Sequence, residues 1–202
     1  MAENNPEGNH DKLLSAALAC LRDKGYARTT ARDLVAASGT NLASIGYHFG
    51  GKEGLLNEAI AVGFRAWVAE VERATFAPEP ATAPERLERS LAAMIDRFEE
   101  LRPFLVSFVE AFPQAVRSPT LRERMAEAYE EARAAGAEMF LRGVQADGMT
   151  LRREHAETLS SLATAVCDGL ILQWLLDPDR VPSSREVMEA LTAALPAFAS
   201  AR

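Results

Sequence analysis

Helical spacing along nearly the whole chain is the feature that most limits its fold. Apolar residues recur at three- and four-residue intervals, as in Leu14, Ala17, Leu18 and Leu21, and glycine or proline closes each run. No Val/Ile/Thr stretch alternates with polar residues beside a hairpin dipeptide. An all-α chain of about nine helices is therefore expected.

The punctuation places those helices. Gly25 ends the first. Thr30-Ala31-Arg32-Asp33 has the form of a capping box, so a second helix starts there and runs through Leu34 and Val35 to about Ser38. Gly39 supplies a turn, and Asn41 suits the N-cap of a short third helix ending near His48. Gly50-Gly51 breaks the chain before Lys52 opens a fourth helix reaching about Thr75. The segment APEPATAP, with Pro78, Pro80 and Pro84, reads as a linker. Pro84 suits the first turn of a helix over 84–101; Pro103 is expected to begin another, which Pro113 limits or kinks. A helix over 119–146 carries Leu121, Met125, Ala128, Ala132 and Met139 on its apolar side, and helices over 152–177 and 183–199 flank a loop with Pro178 and Pro182.

At 202 residues and 48% hydrophobic, the chain has material for a small domain joined to a larger one. Its net charge of -7 is unevenly spread. Residues 10–52 hold six basic side chains against three acidic ones, a net +3, while 1–9 carry -2 and 53–202 carry -8. One end suits phosphate and the body repels it. The polar, acidic start lacks the apolar core of a signal peptide, and Cys20 and Cys167 form no C-x-x-C pair, so a cytoplasmic protein is expected. The apolar stretch 159–176 is interrupted by Asp168, Gly169 and Gln173; it is read as short of a membrane span and as a buried helix, with no membrane partner.

Two short helices joined by a glycine turn make a helix-turn-helix, whose second helix enters a major groove wide enough to admit it. Leu34, Val35, Ala36 and Ile45 are expected to pack the pair, leaving Asn41, Ala43, Ser44, Tyr47 and His48 outward. The stretch GYARTTARDLVAASGTNLASIGYHFGGKEGLLNEAI resembles the N-terminal domain of the TetR family of transcriptional regulators, through G-Y-x-x-T-T, the small-residue second helix, the A-x-G turn and Y-H-F-G-x-K-E-x-L-L. The resemblance implies a DNA-binding domain over 1–52 and a helical ligand-binding and dimerisation domain over 53–202. It assigns Thr30 and Lys52 to phosphates at helix N-termini and sets Thr40, Asn41, Leu42, Ala43, Ser44 and Gly46 on the DNA-reading segment. Tyr47 either meets a phosphate or plugs the small core; His48 is either a DNA contact or a solvated imidazole. Gly46 stands where many members carry a DNA-touching side chain, and Leu42 replaces a frequent lysine, which shifts readout toward thymine methyls.

Enzymatic readings find little footing. His10, His48 and His155 lack metal-ligand spacing, no glycine loop cradles phosphate, and Cys167 has no histidine at helical reach, so no catalytic residue, metal or cofactor is expected. In the body, Trp67, Phe104, Phe108, Met125 and Tyr129, with Glu110 or Gln173 as a polar anchor, are candidates to line an effector cavity. Leu162, Val166, Leu170, Ile171 and Trp174, aided by Val187, Leu191 and Leu195, are candidates to bury against a second copy, because that helix is apolar nearly all round. The expectation is a homodimeric repressor on a palindromic operator, released by a small molecule. Two alternatives stand beside it: a cytosolic all-α enzyme, and a DNA-binding dimer with no small-molecule ligand.

Overall fold

The computed structural model describes residues 8–77 and 81–199, with side chains to residue 194. Pro78 and Pro80 of the expected linker, and the side chain of Leu195, lie outside the described residues. Among the described residues there are nine α-helices, one short 3-10 turn and no strand. The helices are α1 (Asn9–Lys24), α2 (Ala31–Ser38), α3 (Leu42–Phe49), α4 (Lys52–Phe76), α5 (Ala83–Ile95), α6 (Phe98–Arg117), α7 (Pro119–Ala146), α8 (Arg153–Leu176) and α9 (Ser184–Ala199).

The break between α5 and α6 corrects the sequence-based placement. It falls at Asp96-Arg97, and Pro103 and Pro113 both lie inside α6 rather than at its ends. An internal proline costs a helix about 3 kcal/mol. Burial of Phe104, Leu105, Phe108 and Ala111 along the same helix offsets that cost. The start of α5 is fixed by Thr82, whose hydroxyl accepts from the Glu85 amide while the Glu85 carboxylate accepts from the Thr82 amide.

The helices gather into two compact units. The first holds residues up to Arg65 together with Arg102–Tyr129; the second holds Ala66–Leu101 and the chain from Glu130 onward. The helix-turn-helix thus belongs to a unit that also takes the first part of α4, most of α6 and the start of α7.

In the first unit, Leu13, Ala17 and Leu21 of α1 pack inside with Leu34, Ile45, Leu55 and Leu56. On α6, the Ser107 hydroxyl donates to the Leu21 carbonyl (3.0 Å), and the Glu110 carboxylate accepts from the Ala27 amide (3.2 Å). These bonds tie α6 to the end of α1 and the loop after it.

In the second unit, Trp67 donates its ring N–H to the Ala93 carbonyl (3.2 Å) and meets Phe98 edge-on; Phe98 in turn packs on Trp174. The buried Arg86 is held by Asp147 (2.6 Å) and by the carbonyls of Gly143 and Ala81. A buried cation needs such a full set of partners. Asp96 accepts from both the Ser184 amide (3.1 Å) and its hydroxyl (2.6 Å), joining the end of α5 to the start of α9.

Helix α8 departs from expectation in two ways. At 24 residues it is long and apolar enough to cross a membrane, and only 22% of its most apolar window is buried within the chain. Ile171 and Trp174 point into the unit's own core, and so are not available on an outer face. Leu162 (61% exposed), Val166 (51%), Leu172 (51%) and Leu176 (87%) form the outer strip instead. Leu170 and Val187 are half-buried, and Leu191 is exposed.

Candidate nucleic-acid interface

Three local devices build the reading head. At the start of α2, the Thr30 hydroxyl accepts from the Asp33 amide (3.2 Å) and donates to the Asp33 carboxylate (2.7 Å), completing the capping box read in the sequence. The Lys24 ammonium sits 2.6 Å from Asp33; that contact first, then the Thr30 hydroxyl and amide, holds the carboxyl well below the usual carboxylate range. At the start of α3, the Asn41 side chain accepts from the Ser44 amide (3.0 Å) and hydroxyl (3.2 Å). Between α3 and α4, a Cβ added at Gly54 meets the Phe49 carbonyl oxygen at 2.0 Å, so only glycine allows this close approach.

These devices fix which side of α3 faces out. Ile45 is buried, as is Leu34 of α2, and Tyr47 is 86% exposed, which removes the reading of Tyr47 as a core plug. Leu42, at 58%, is exposed with Ala43, Gly46 and His48, while Ser44 and Thr40 are partly covered. Ala36, expected in the packing of the pair, lies exposed on α2. His48 meets Tyr47 edge-on (centroids 4.9 Å) and lies near His10 of α1 (5.8 Å), and His10 stacks on Phe49 (4.8 Å). Phe49 is therefore partly covered rather than fully buried.

Two expected phosphate contacts arrive with their groups partly engaged. The Thr30 hydroxyl is already used in both directions by Asp33, which leaves the first-turn amides of Ala31 and Arg32 to face an anion. The Lys52 ammonium donates to the Thr29 carbonyl (3.2 Å) and lies 3.5 Å from Glu53; an ammonium has three protons, so this pins it at the start of α4 with donors to spare. Gly46 is open, with nothing within 4 Å of an added Cβ.

Elsewhere in the first unit, α4, α6 and α7 enclose a small hollow. Its walls are Asn57, Ile60, Ala61 and Phe64 from α4, Phe108 from α6, and Arg124, Met125, Ala128 and Tyr129 from α7. Its closed space is about 10 Å³, room for about one water, and the hollow is otherwise filled by its own walls. Of the seven cavity candidates, Phe108, Met125 and Tyr129 line it, and Phe104 stacks on Phe108 behind it (6.4 Å). The other three do different work. Glu110 holds the loop after α1, Trp67 packs the second unit, and the Gln173 amide bonds the Gly169 carbonyl on the exposed side of α8. The unpredicted wall residues include Asn57, whose side-chain oxygen accepts from the Tyr26 hydroxyl (2.8 Å) in the loop after α1. The spacing of Asn57, Ala61 and Phe64 along α4 carried a signal for that wall. Cys167 is buried, and burial first, then Asp168, pushes its thiol up to about 12, where it stays protonated and inert as a nucleophile.

Known proteins share this arrangement. Residues 13–59 match the model of bacterial regulatory proteins of the tetR family, and residues 83–197 match that of the C-terminal region of BetI-type transcriptional repressors. The HTH-type transcriptional regulator LmrA of Bacillus subtilis is 28% identical over 86% of this chain and 90% of its own length. A regulator structure from Pseudomonas aeruginosa PAO1 shares the fold at 22% identity, with a TM-score of 0.70 over 99% of this chain and 94% of that one. Another, from Saccharomonospora viridis in complex with choline, does so at 24% identity and a TM-score of 0.65, over 93% and 95%. The chain is a regulator and not an enzyme: it belongs to the TetR family of DNA-binding transcriptional regulators.

Proposed function

We propose that the chain is a cytoplasmic repressor that binds a palindromic operator as a homodimer and leaves it when a small molecule enters the hollow. The observation that carries this reading is the way the hollow meets the reading head inside one unit. Its wall residue Asn57 holds Tyr26, and Ser107 and Glu110, beside its wall residue Phe108, hold the end of α1 and the loop after it. A molecule that pushes α4 and α6 apart strains those bonds, and so favours a head position that fits DNA less well. The effect on operator affinity equals the ligand's differential affinity for the two head positions. Choline in the Saccharomonospora viridis structure is support by analogy for small-molecule sensing.

Pairing through α8 accounts for its uncovered apolar strip. A soluble chain seldom leaves that much contiguous apolar surface bare, and two-fold pairing is the commonest way to cover it. Two paired heads read two inverted half-sites. Leu42, Ala43 and Gly46 present apolar or bare surface to bases, while the α2 amides and Lys52 hold phosphates.

The test is selection of bound duplexes from a random pool with the full chain, followed by a compound screen for release of the selected duplex. Inverted repeats and at least one releasing compound are the expected results. A selected duplex that no compound releases would favour the ligand-free dimer, and no enrichment at all would refute the operator reading.

A further inference from the structure

The first turn of α1 reaches both ends of α3. Asn9 donates from its side-chain amide to the Ser44 hydroxyl (3.4 Å), and that hydroxyl donates in turn to the Asn41 side chain (3.2 Å). One residue on, the His10 ring stacks on Phe49 (centroids 4.8 Å, 23°) and stands edge-on to His48 (5.8 Å, 78°). Asp11 also holds the His10 ring. A carboxylate only accepts, so His10 Nδ1 carries the proton in the 3.0 Å bond between them.

The consequence falls on His48. Its side chain is exposed on the outward side of α3, where an unheld ring would sample several rotamers. Here it meets two rings edge-on, Tyr47 at 4.9 Å (84°) and His10, an arrangement that aromatic rings prefer. Tyr47 is itself 86% exposed. The firmer of the two supports is therefore His10, which rests on Phe49 and Asp11.

We propose that His10 is a positioning residue for DNA reading: stacked on Phe49, it holds the His48 ring in one orientation on the outward face of α3. The ordering of that ring is then met on folding rather than on binding. This rests on the reading of His48 as a DNA contact. It is tested with the full chain on the inverted-repeat duplex recovered by selection, as a double-mutant cycle of His10→Ala and His48→Ala. His10→Ala should weaken binding about threefold to tenfold per head, the value of one side chain ordered in advance. In a chain that already carries His48→Ala, the same change should cost nothing further. His10→Phe keeps both ring contacts and removes the ring nitrogens, so it should bind as the native chain does. Three results overturn the proposal. They are native-like binding by His10→Ala, an equal loss with and without His48→Ala, and a loss in His10→Phe as large as in His10→Ala, which would make the imidazole itself a DNA contact. A His48→Ala chain that binds as the native chain does refutes the reading of His48, and the positioning role falls with it.

Discussion

Helices α3 and α8 both leave large apolar side chains in solvent, and they do so in opposite surroundings. Leu42 and Tyr47 stand on a helix of eight residues, within the segment 10–52 whose net charge is +3. Leu162, Val166, Leu172 and Leu176 stand on a helix of 24 residues whose span from Thr158 to Leu176 carries one charged side chain, Asp168. Exposure alone does not tell what a surface meets. Apolar groups in a segment of net positive charge suit the wet, charged groove of a duplex, whereas an uncharged strip several turns long suits a copy of itself.

The comparison breaks most readily at α8. Leu162→Glu with Val166→Glu should raise the dimer dissociation constant by about a thousandfold or more, since each side chain contributes about 1.5–3 kcal/mol of burial and occurs twice across a two-fold axis. Sedimentation equilibrium reads the change, circular dichroism should show helix content intact, and operator affinity should fall with it. A double variant that still pairs would remove α8 from the interface.

Next in size is Leu42→Glu, which places an anion against phosphates. It should weaken operator binding by about 2 kcal/mol per head while the sedimentation result stays that of the native chain. Lys52→Met sharpens the same side of the comparison: the slope of log affinity against log salt should drop by about one per head, on any duplex sequence. Gly46→Ala is smaller. The open helix position gains about 0.5–1 kcal/mol of stability, visible as a higher thermal midpoint, with no change in dimer affinity.

The smallest effect is in acid. Asp33 has a folded-state pKa below its unfolded value, so its contribution to the α2 cap is present above the ordinary carboxylate range and is lost as pH falls through the folded value. Between about pH 6 and 8 it contributes a constant amount, and Asp33→Asn should leave the shape of any pH profile there unchanged.

The head was legible in the sequence because its determinants are local. The Thr30 box, the Asn41 cap and the glycines at 39 and 50 act within four residues of where they stand. The α5–α6 break was less so. Pro103 reads as a boundary to any local rule, and only the burial of Phe104 and Leu105 keeps it inside a helix. On α8 an all-round apolar helix gives no phase, so Ile171 and Leu172, or Trp174 and Leu176, differ in fate only once the other helices are in place. The hollow was half legible for the same reason. Phe108 and Tyr129 were candidates as large rings, but Arg124 looks like any surface arginine, and Glu110 looks like a pocket anchor until Ala27 is found on it.

The most direct test is the stoichiometry of the full chain on its selected duplex, measured by sedimentation alongside cleavage protection of both strands. Two chains per inverted repeat, protecting successive major grooves on one face, is the predicted result. A single chain bound to a lone half-site, with affinity undiminished when the other half-site is scrambled, would contradict the account.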